Sequence, residues 1–258
     1  MTAEAPSAPR LAAEGVVVER GGKRIVRGVS LACEAGTVTG LLGPSGAGKS
    51  TFFQVLVGEE PDHGGRVKLD GVDVTGEPLF RRARRGLGYM PQGPSVLWDL
   101  TVGENVDTFL AVARAGRAGP DLAGRARALV SRVDLEAQLD TRAGQLSGGE
   151  RRRLELARVL AGEPRVIVCD EPFAGVDPAQ AARLGDLLAA LADAGVAVLL
   201  ADHHVEEALR ICTRAALLLD GALVTLGTPA EFREHATVRG RYLGTLSASP
   251  ASESPSSG

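Results

Sequence analysis

Short apolar runs without polar alternation recur along this chain, most clearly at Val166–Val168 and Val196–Leu200. Such runs are the pattern of parallel strands covered on both faces by helices. Between these two, Leu184, Leu187, Leu188 and Leu191 fall at i, i+3, i+4 and i+7. That spacing is one helix face laid on a sheet, and the strand–helix–strand order predicts a βαβ unit. Gly15–Val18, Val38–Leu42 and Gly88–Met90 are predicted as further strands, and Arg66–Leu69 as a strand entering a tight turn at Asp70-Gly71. From Thr101 to about Arg132 the pattern changes to alanine, leucine and charge, which predicts an inserted helical subdomain. Near the end, Thr228-Pro229-Ala230-Glu231 has the form of a capping box with proline at the first helical position, so a short final helix is expected there.

Composition narrows this picture. With 258 residues and 44% hydrophobic content the chain can bury one large α/β domain. Thr2–Pro9 and Ser247–Gly258 are too poor in apolar residues to fold, so residues 1–10 and 245–258 are expected to be disordered tails around a folded unit at 11–244. A net charge of −3 argues against a nucleic-acid partner, which calls for a concentrated basic face. Cys33, Cys169 and Cys212 are odd in number and unrelated in spacing, which fits a reducing cytosol better than a disulfide framework. No apolar stretch reaches the ~18–20 residues of a membrane span, and Met1–Arg10 lacks the apolar core of a secretory signal. Any membrane work therefore falls to other chains.

The densest chemistry lies at Gly43-Pro44-Ser45-Gly46-Ala47-Gly48-Lys49-Ser50-Thr51, directly after the strand that ends at Leu42. The spacing is that of a phosphate-binding loop, GxxxxGK[ST]. Its glycines let successive backbone N–H groups turn toward phosphate oxygens. Lys49 supplies a point charge to the β and γ phosphates, and the Ser50 hydroxyl ligates Mg²⁺. A nucleoside triphosphate, ATP with Mg²⁺, is the expected ligand. A second apolar strand ends in Asp170-Glu171, whose side chains leave a strand terminus toward opposite sides and can divide two tasks. Asp170 is expected to serve Mg²⁺ and Glu171 to position and polarise the attacking water.

Four further segments, in order, resemble the ATP-binding cassette (ABC) ATPases. Leu146-Ser147-Gly148-Gly149-Glu150 is similar to the family signature, Gln92 to its Q-loop glutamine, Ala174-Gly175-Val176-Asp177 to its D-loop, and His203 to its switch histidine. The resemblance covers nearly all of 11–244. It implies a P-loop fold with a RecA-like core, about 11–92 and 158–244, that carries an antiparallel β-subdomain, plus a helical subdomain at about 93–157. It also implies that Gln92 joins Ser50 and Asp170 around the metal, that Gln92 and His203 assist Glu171, and that Ser147, Gly148, Gly149 and Asp177 bind the ATP of a second copy. The expected assembly is a head-to-tail homodimer beneath two integral membrane subunits, on the cytoplasmic face of the inner membrane. One departure concerns the adenine: where the family has a stacking aromatic this chain has Arg20, whose planar guanidinium can also stack on a purine.

Within the family, Ser147–Glu155, Asp170–Pro178, Arg84–Gln92, Asp202–Val205 and the closing Arg241-Tyr242-Leu243-Gly244 resemble the ATPases of bacterial lipopolysaccharide exporters. Branched-chain amino-acid importer ATPases share the Tyr-Leu-Gly ending but usually differ around Phe173–Asp177. Leu97 and Trp98, apolar in a turn-like stretch, are expected to receive the membrane partner within the surface Gln92–Trp98.

Overall fold

The computed structural model describes residues 8–113 and 122–244. Residues 1–7 of the tail expected at 1–10, and the whole tail expected at 245–258, lie outside the described residues, as do residues 114–121 of the helical region. In chain order the elements are β1 (Leu11–Arg20), β2 (Lys23–Cys33), β3 (Val38–Leu42), α1 (Lys49–Val57), β4 (Gly64–Leu69), β5 (Val72–Asp73), α2 (Leu79–Arg84) and β6 (Leu87–Met90). There follow α3 (Val102–Ala113), α4 (Leu122–Arg132), α5 (Gly148–Leu160), β7 (Val166–Asp170), α6 (Pro178–Asp193), β8 (Ala197–Ala201), α7 (Val205–Ile211), β9 (Arg214–Leu219), β10 (Ala222–Gly227) and α8 (Pro229–Glu234).

Two sheets form the frame: an antiparallel β2-β1-β4-β5 sheet and a six-stranded sheet ordered β10-β9-β3-β8-β7-β6. In the latter only the edge strand β10 runs antiparallel to its neighbour. The uniform apolarity of β7 and β8 is explained by burial on both faces. Val166 and Val168 of β7, with Ala197, Leu199 and Ala201 of β8, pack toward the antiparallel sheet and α1. Ile167, Cys169, Val198 and Leu200 pack toward α3 to α7. Each alternate residue thus serves a different core, and no position is left to be polar.

Several expectations need correction. β1 is longer than Gly15–Val18, and β2 and β9 with β10 had no counterpart in the pattern reading. In β2 the buried positions run Val26, Val29, Leu31, Cys33, so the alternation slips by one residue. Gly28 causes the slip: it sits at φ 74° where the partner of Val16 is Val29 and that of Val17 is Arg27, a β-bulge. The folded unit also begins before Leu11, because Arg10 Nη1 donates to Asp70 at 2.9 Å and the Arg10 carbonyl accepts the Asp70 N–H at 3.1 Å. The boundary expected at 157/158 falls inside α5, which runs unbroken from Gly148 to Leu160. The turn at Asp70-Gly71 forms as expected, with φ of 45° and 80°, and pairs Leu69 with Val72.

Candidate functional site

Four strands lie side by side in the order β3, β8, β7, β6, and the loop 43–51, His203, Asp170-Glu171 and Gln92 stand at or just beyond their carboxyl ends. From β3 the chain enters the loop 43–48, whose tip, Pro44 to Gly46, is exposed. The loop is shaped by close packing: a Cβ on Gly43 would stand 2.2 Å from the Leu218 carbonyl of β9, and one on Gly48 would stand 2.8 Å from the Ile25 carbonyl of β2. Gly48 occupies the N-cap of α1 at φ 101°, and no side chain caps the helix there. The first N–H groups of α1 are thus not taken by a side-chain cap, in a loop whose positions 43 and 48 leave no room for a Cβ.

Lys49 lies 7% exposed and folds back, donating from Nζ to the carbonyls of Gly43 at 2.6 Å and Pro44 at 3.0 Å. Burial lowers its pKa, while the charges of Glu171, Asp170 and Asp202 oppose that. An ammonium so placed gains from an anion in the loop. Beside it, burial pushes the Asp170 carboxyl up, and a hydrogen bond from the Ser50 hydroxyl partly offsets this. Asp170 Oδ1 is buried without a hydrogen-bond partner. An orphaned carboxylate oxygen next to a serine hydroxyl is the donor set of a hard cation, so these residues fit Mg²⁺.

Glu171 leaves the strand at φ 51°, with its N–H held by the Ala201 carbonyl of β8 at 2.7 Å. Its Oε2 accepts from Gln92 Nε2 at 3.0 Å and lies 3.5 Å from His203 Nδ1. Two candidate residues from two other loops, Gln92 and His203, therefore converge on the Glu171 carboxylate. His204, the alternative to His203, is turned instead toward Asp202, with Nδ1 at 2.7 Å from Oδ1.

Other predicted residues stand elsewhere. Ser147 caps α5 in a reciprocal box with Glu150, and Asp177 caps α6 by accepting the Gln180 N–H at 3.1 Å. Gly148 and Gly149 pack against the Gly175 carbonyl and the Gln180 side chain. Among the described residues, no hydrogen bond joins Ser147, Gly148, Gly149 or Asp177 to the loop 43–51 of the same chain. Arg20 is held by an ion pair to Glu60 and by Gln54 Oε1 of α1 at 3.0 Å, while about half its side chain stays exposed. Leu97 and Trp98 are 36% and 45% exposed, with the Arg151 guanidinium 4.6 Å over the Trp98 ring.

Two groups escaped the sequence reading. Arg152 of α5 donates to the carbonyls of Pro91 at 3.1 Å and Gln92 at 2.7 Å and pairs with Glu155, which accepts the Ser95 N–H at 2.8 Å. The helix that opens with Ser147 thereby fixes both ends of the segment carrying Gln92. The i, i+3 arrangement of opposite charges was a visible signal. Arg82 of α2, only 1% exposed, had none: it stands among Arg81, Arg84 and Arg85, which are all exposed.

A parallel sheet whose strand ends bring together a glycine loop, a buried lysine and paired carboxylates defines a P-loop nucleoside triphosphatase. The ABC transporter family pattern matches residues 26–174, and the chain belongs to that family of transport ATPases. It is similar to LptB, the lipopolysaccharide export system ATP-binding protein, of Escherichia coli strain K12, at 42% identity over 223 residues that cover 86% of this chain and 92% of that protein. LptB of Acidithiobacillus ferridurans is 45% identical over 221 residues, covering 85% and 90%. A nucleotide-free ATP-binding cassette of an ABC transporter superposes with a TM-score of 0.82 at 25% identity, over 92% of this chain and 99% of that one. A cassette solved as a dimer in a post-hydrolysis state with ADP and Pi superposes with a TM-score of 0.74 at 26% identity, over 85% and 98%.

Proposed function

We propose that this chain is the ATP-hydrolysing subunit of a lipopolysaccharide exporter, working as a head-to-tail homodimer beneath two membrane subunits on the cytoplasmic face of the inner membrane. The observation that carries the catalytic part is the convergence of Gln92 and His203 on Glu171 beside Lys49 and Asp170. The export assignment rests on the likeness to LptB over most of both chains. No helix among the described residues is long and apolar enough to cross a membrane, in keeping with a subunit that relies on other chains to span it.

In this reading the loop 43–48 and Lys49 hold the phosphates of ATP, while Ser50, Asp170 and Gln92 hold the metal. Bound there, Mg²⁺ would neutralise charge on the β and γ phosphates. Glu171 orients the attacking water and takes its proton, and His203 steadies the γ-phosphate. Ser147 to Gly149 and Asp177 make no hydrogen bond to the loop of their own chain among the described residues. A second copy supplies them, and the dimeric cassette among the structural relatives supports that arrangement.

Arg20 is the proposed adenine platform, held in place by Glu60 and Gln54. Arg20→Asp should weaken ATP binding about tenfold, the scale of one exposed or partly desolvated cation–π contact. Arg20→Tyr should keep it. Nucleotide titrations in which both variants match the parent would refute the stacking role.

Copurification from detergent-solubilised membranes tests the assembly. The parental chain should bring down two membrane proteins with large periplasmic domains; compact permeases in their place would overturn the exporter assignment. Trp98→Ser should lose those partners while the purified subunit keeps its stability to within about 1 kcal/mol, since the exposed ring adds mainly a cation–π contact with Arg151. A loss of several kcal/mol would instead place Trp98 in the core.

A further inference from the structure

The buried carboxylate of Asp202 has no part in the scheme above, yet it touches both loops that carry it. Asp202 directly follows β8 and is fully buried. Its Oδ2 accepts the N–H of Phe173, two residues beyond Glu171, at 2.9 Å. Its Oδ1 accepts the backbone N–H of His204 at 2.9 Å and lies 2.7 Å from His204 Nδ1. A carboxylate accepts only, so the ring nitrogen facing it is the protonated one, which leaves Nε2 without that proton in the neutral ring. His204 in turn lies against His203, ring centroids 4.1 Å apart. His203 Nδ1 is 3.7 Å from Asp202 Oδ1 and 3.5 Å from Glu171 Oε2.

Three N–H donors on one carboxylate make a rigid junction. One oxygen holds the chain that leaves β7, and the other holds the chain that leaves β8. The Glu171 N–H to Ala201 carbonyl bond, 2.7 Å, ties the same two loops one step earlier. Glu171 and His203 must meet the same γ-phosphate and its attacking water, so their spacing decides the rate and a misplacement of about 1 Å costs on the order of 10²-fold.

We propose that Asp202 is a positioning residue that sets the spacing of Glu171 and His203, with His204 as the arm through which it fixes the His203 ring. The inference rests on the catalytic roles given to Glu171 and His203. Asn at 202 keeps the size and one oxygen but turns an NH₂ against one of the N–H groups. Whichever way the amide is turned, one of the two loops loses its tie.

Asp202→Asn should lower kcat roughly 10–100-fold, as loss of an outer partner of a catalytic group does, and leave KM for ATP within about threefold. The variant should still form the ATP-dependent dimer, because the loop 43–48, Lys49, Ser50 and Asp170, proposed to hold the phosphates and metal, are unchanged. His204→Phe keeps a ring beside His203 without the Nδ1–H and should lose roughly 3–10-fold in kcat, a smaller effect because the backbone bonds to Asp202 survive. Steady-state ATPase assays and size-exclusion chromatography read both variants beside Glu171→Gln. An Asp202→Asn protein with the parental kcat, or one whose ATP binding falls in step with its rate, overturns the positioning role. If Glu171→Gln itself turns over at the parental rate, the catalytic reading has failed and this inference falls with it.

Discussion

Glu171→Gln is expected to leave ATP binding intact while hydrolysis falls about 10²–10⁴-fold, the contribution of a positioned general base. The amide keeps the size of the carboxylate, and its oxygen can still accept from Gln92 Nε2, now 3.0 Å from Glu171 Oε2. Lys49, Ser50 and Asp170 are unchanged, so the phosphates and metal keep their proposed ligands. What is lost is the group proposed to take a proton from water. Phosphoryl transfer depends on positioning and charge, and a site that retains both but lacks the base should stall with ATP in place. Because Ser147 to Gly149 make no hydrogen bond to the loop of their own chain and are proposed to close the site of a second copy, the stalled state should accumulate as a dimer. Lys49→Ala should do the opposite, losing nucleotide affinity and never dimerising on ATP. Size-exclusion chromatography with and without ATP·Mg²⁺, paired with phosphate release, measures both. Parental turnover by Glu171→Gln would remove it from the mechanism, and a variant that binds ATP yet stays monomeric would refute the shared site.

Arg82→Met is expected to be the costliest substitution for folding. The buried guanidinium donates to the carbonyls of Val55 at 2.6 Å, Leu56 at 2.7 Å, Glu77 at 2.7 Å and Thr75 at 2.9 Å. Two of these belong to the last turn of α1, where the helix dipole also favours a cation. Burial lowers its pKa to about 10, so the group stays charged at neutral pH. Methionine fills similar space but donates nothing, leaving four carbonyls without that partner at about 1 kcal/mol or more each. A loss of about 3–5 kcal/mol follows, which for a domain of this size lowers Tm by roughly 10 °C. Arg81→Met and Arg84→Met, at exposed positions of the same helix, should change stability by only about 0.5 kcal/mol. Urea and thermal unfolding of the three variants decide it, and equal costs would refute the buried role.

Legibility followed the type of signal. Strands β7 and β8 announced themselves as unbroken apolar runs because both their faces are covered, and α6 did so by its leucine spacing. β2 was hidden because the bulge at Gly28 shifts its buried set by one residue, and a period-2 pattern does not survive such a slip. α2 was hidden because its buried position is an arginine. In the site, the glycine loop and the Asp170-Glu171 pair were readable because their chemistry requires contiguous residues, whereas Gln92 and His203 depended on order along the chain and likeness to a family.

By itself the sequence determined the class of chemistry, since GxxxxGK[ST] after a strand and paired acids at another strand's end leave few alternatives to phosphate binding. Asp70-Gly71 and the Thr228 and Ser147 capping boxes were equally local, each satisfied by residues within a turn of one another. Only the tertiary structure decided which groups meet. Gln92, Glu171 and His203 are far apart in the chain and come together because β6, β7 and β8 are neighbours in one parallel sheet and release their chains at the same edge. Which histidine faces Glu171 combines the two: the contact of His204 with Asp202, two residues away, is local, whereas the approach of His203 Nδ1 to Glu171 Oε2 at 3.5 Å needs β7 and β8 side by side. A local signal is set by bonds within a few residues, whereas the partner of a long-range side chain is set by strand order, which no segment of the sequence contains.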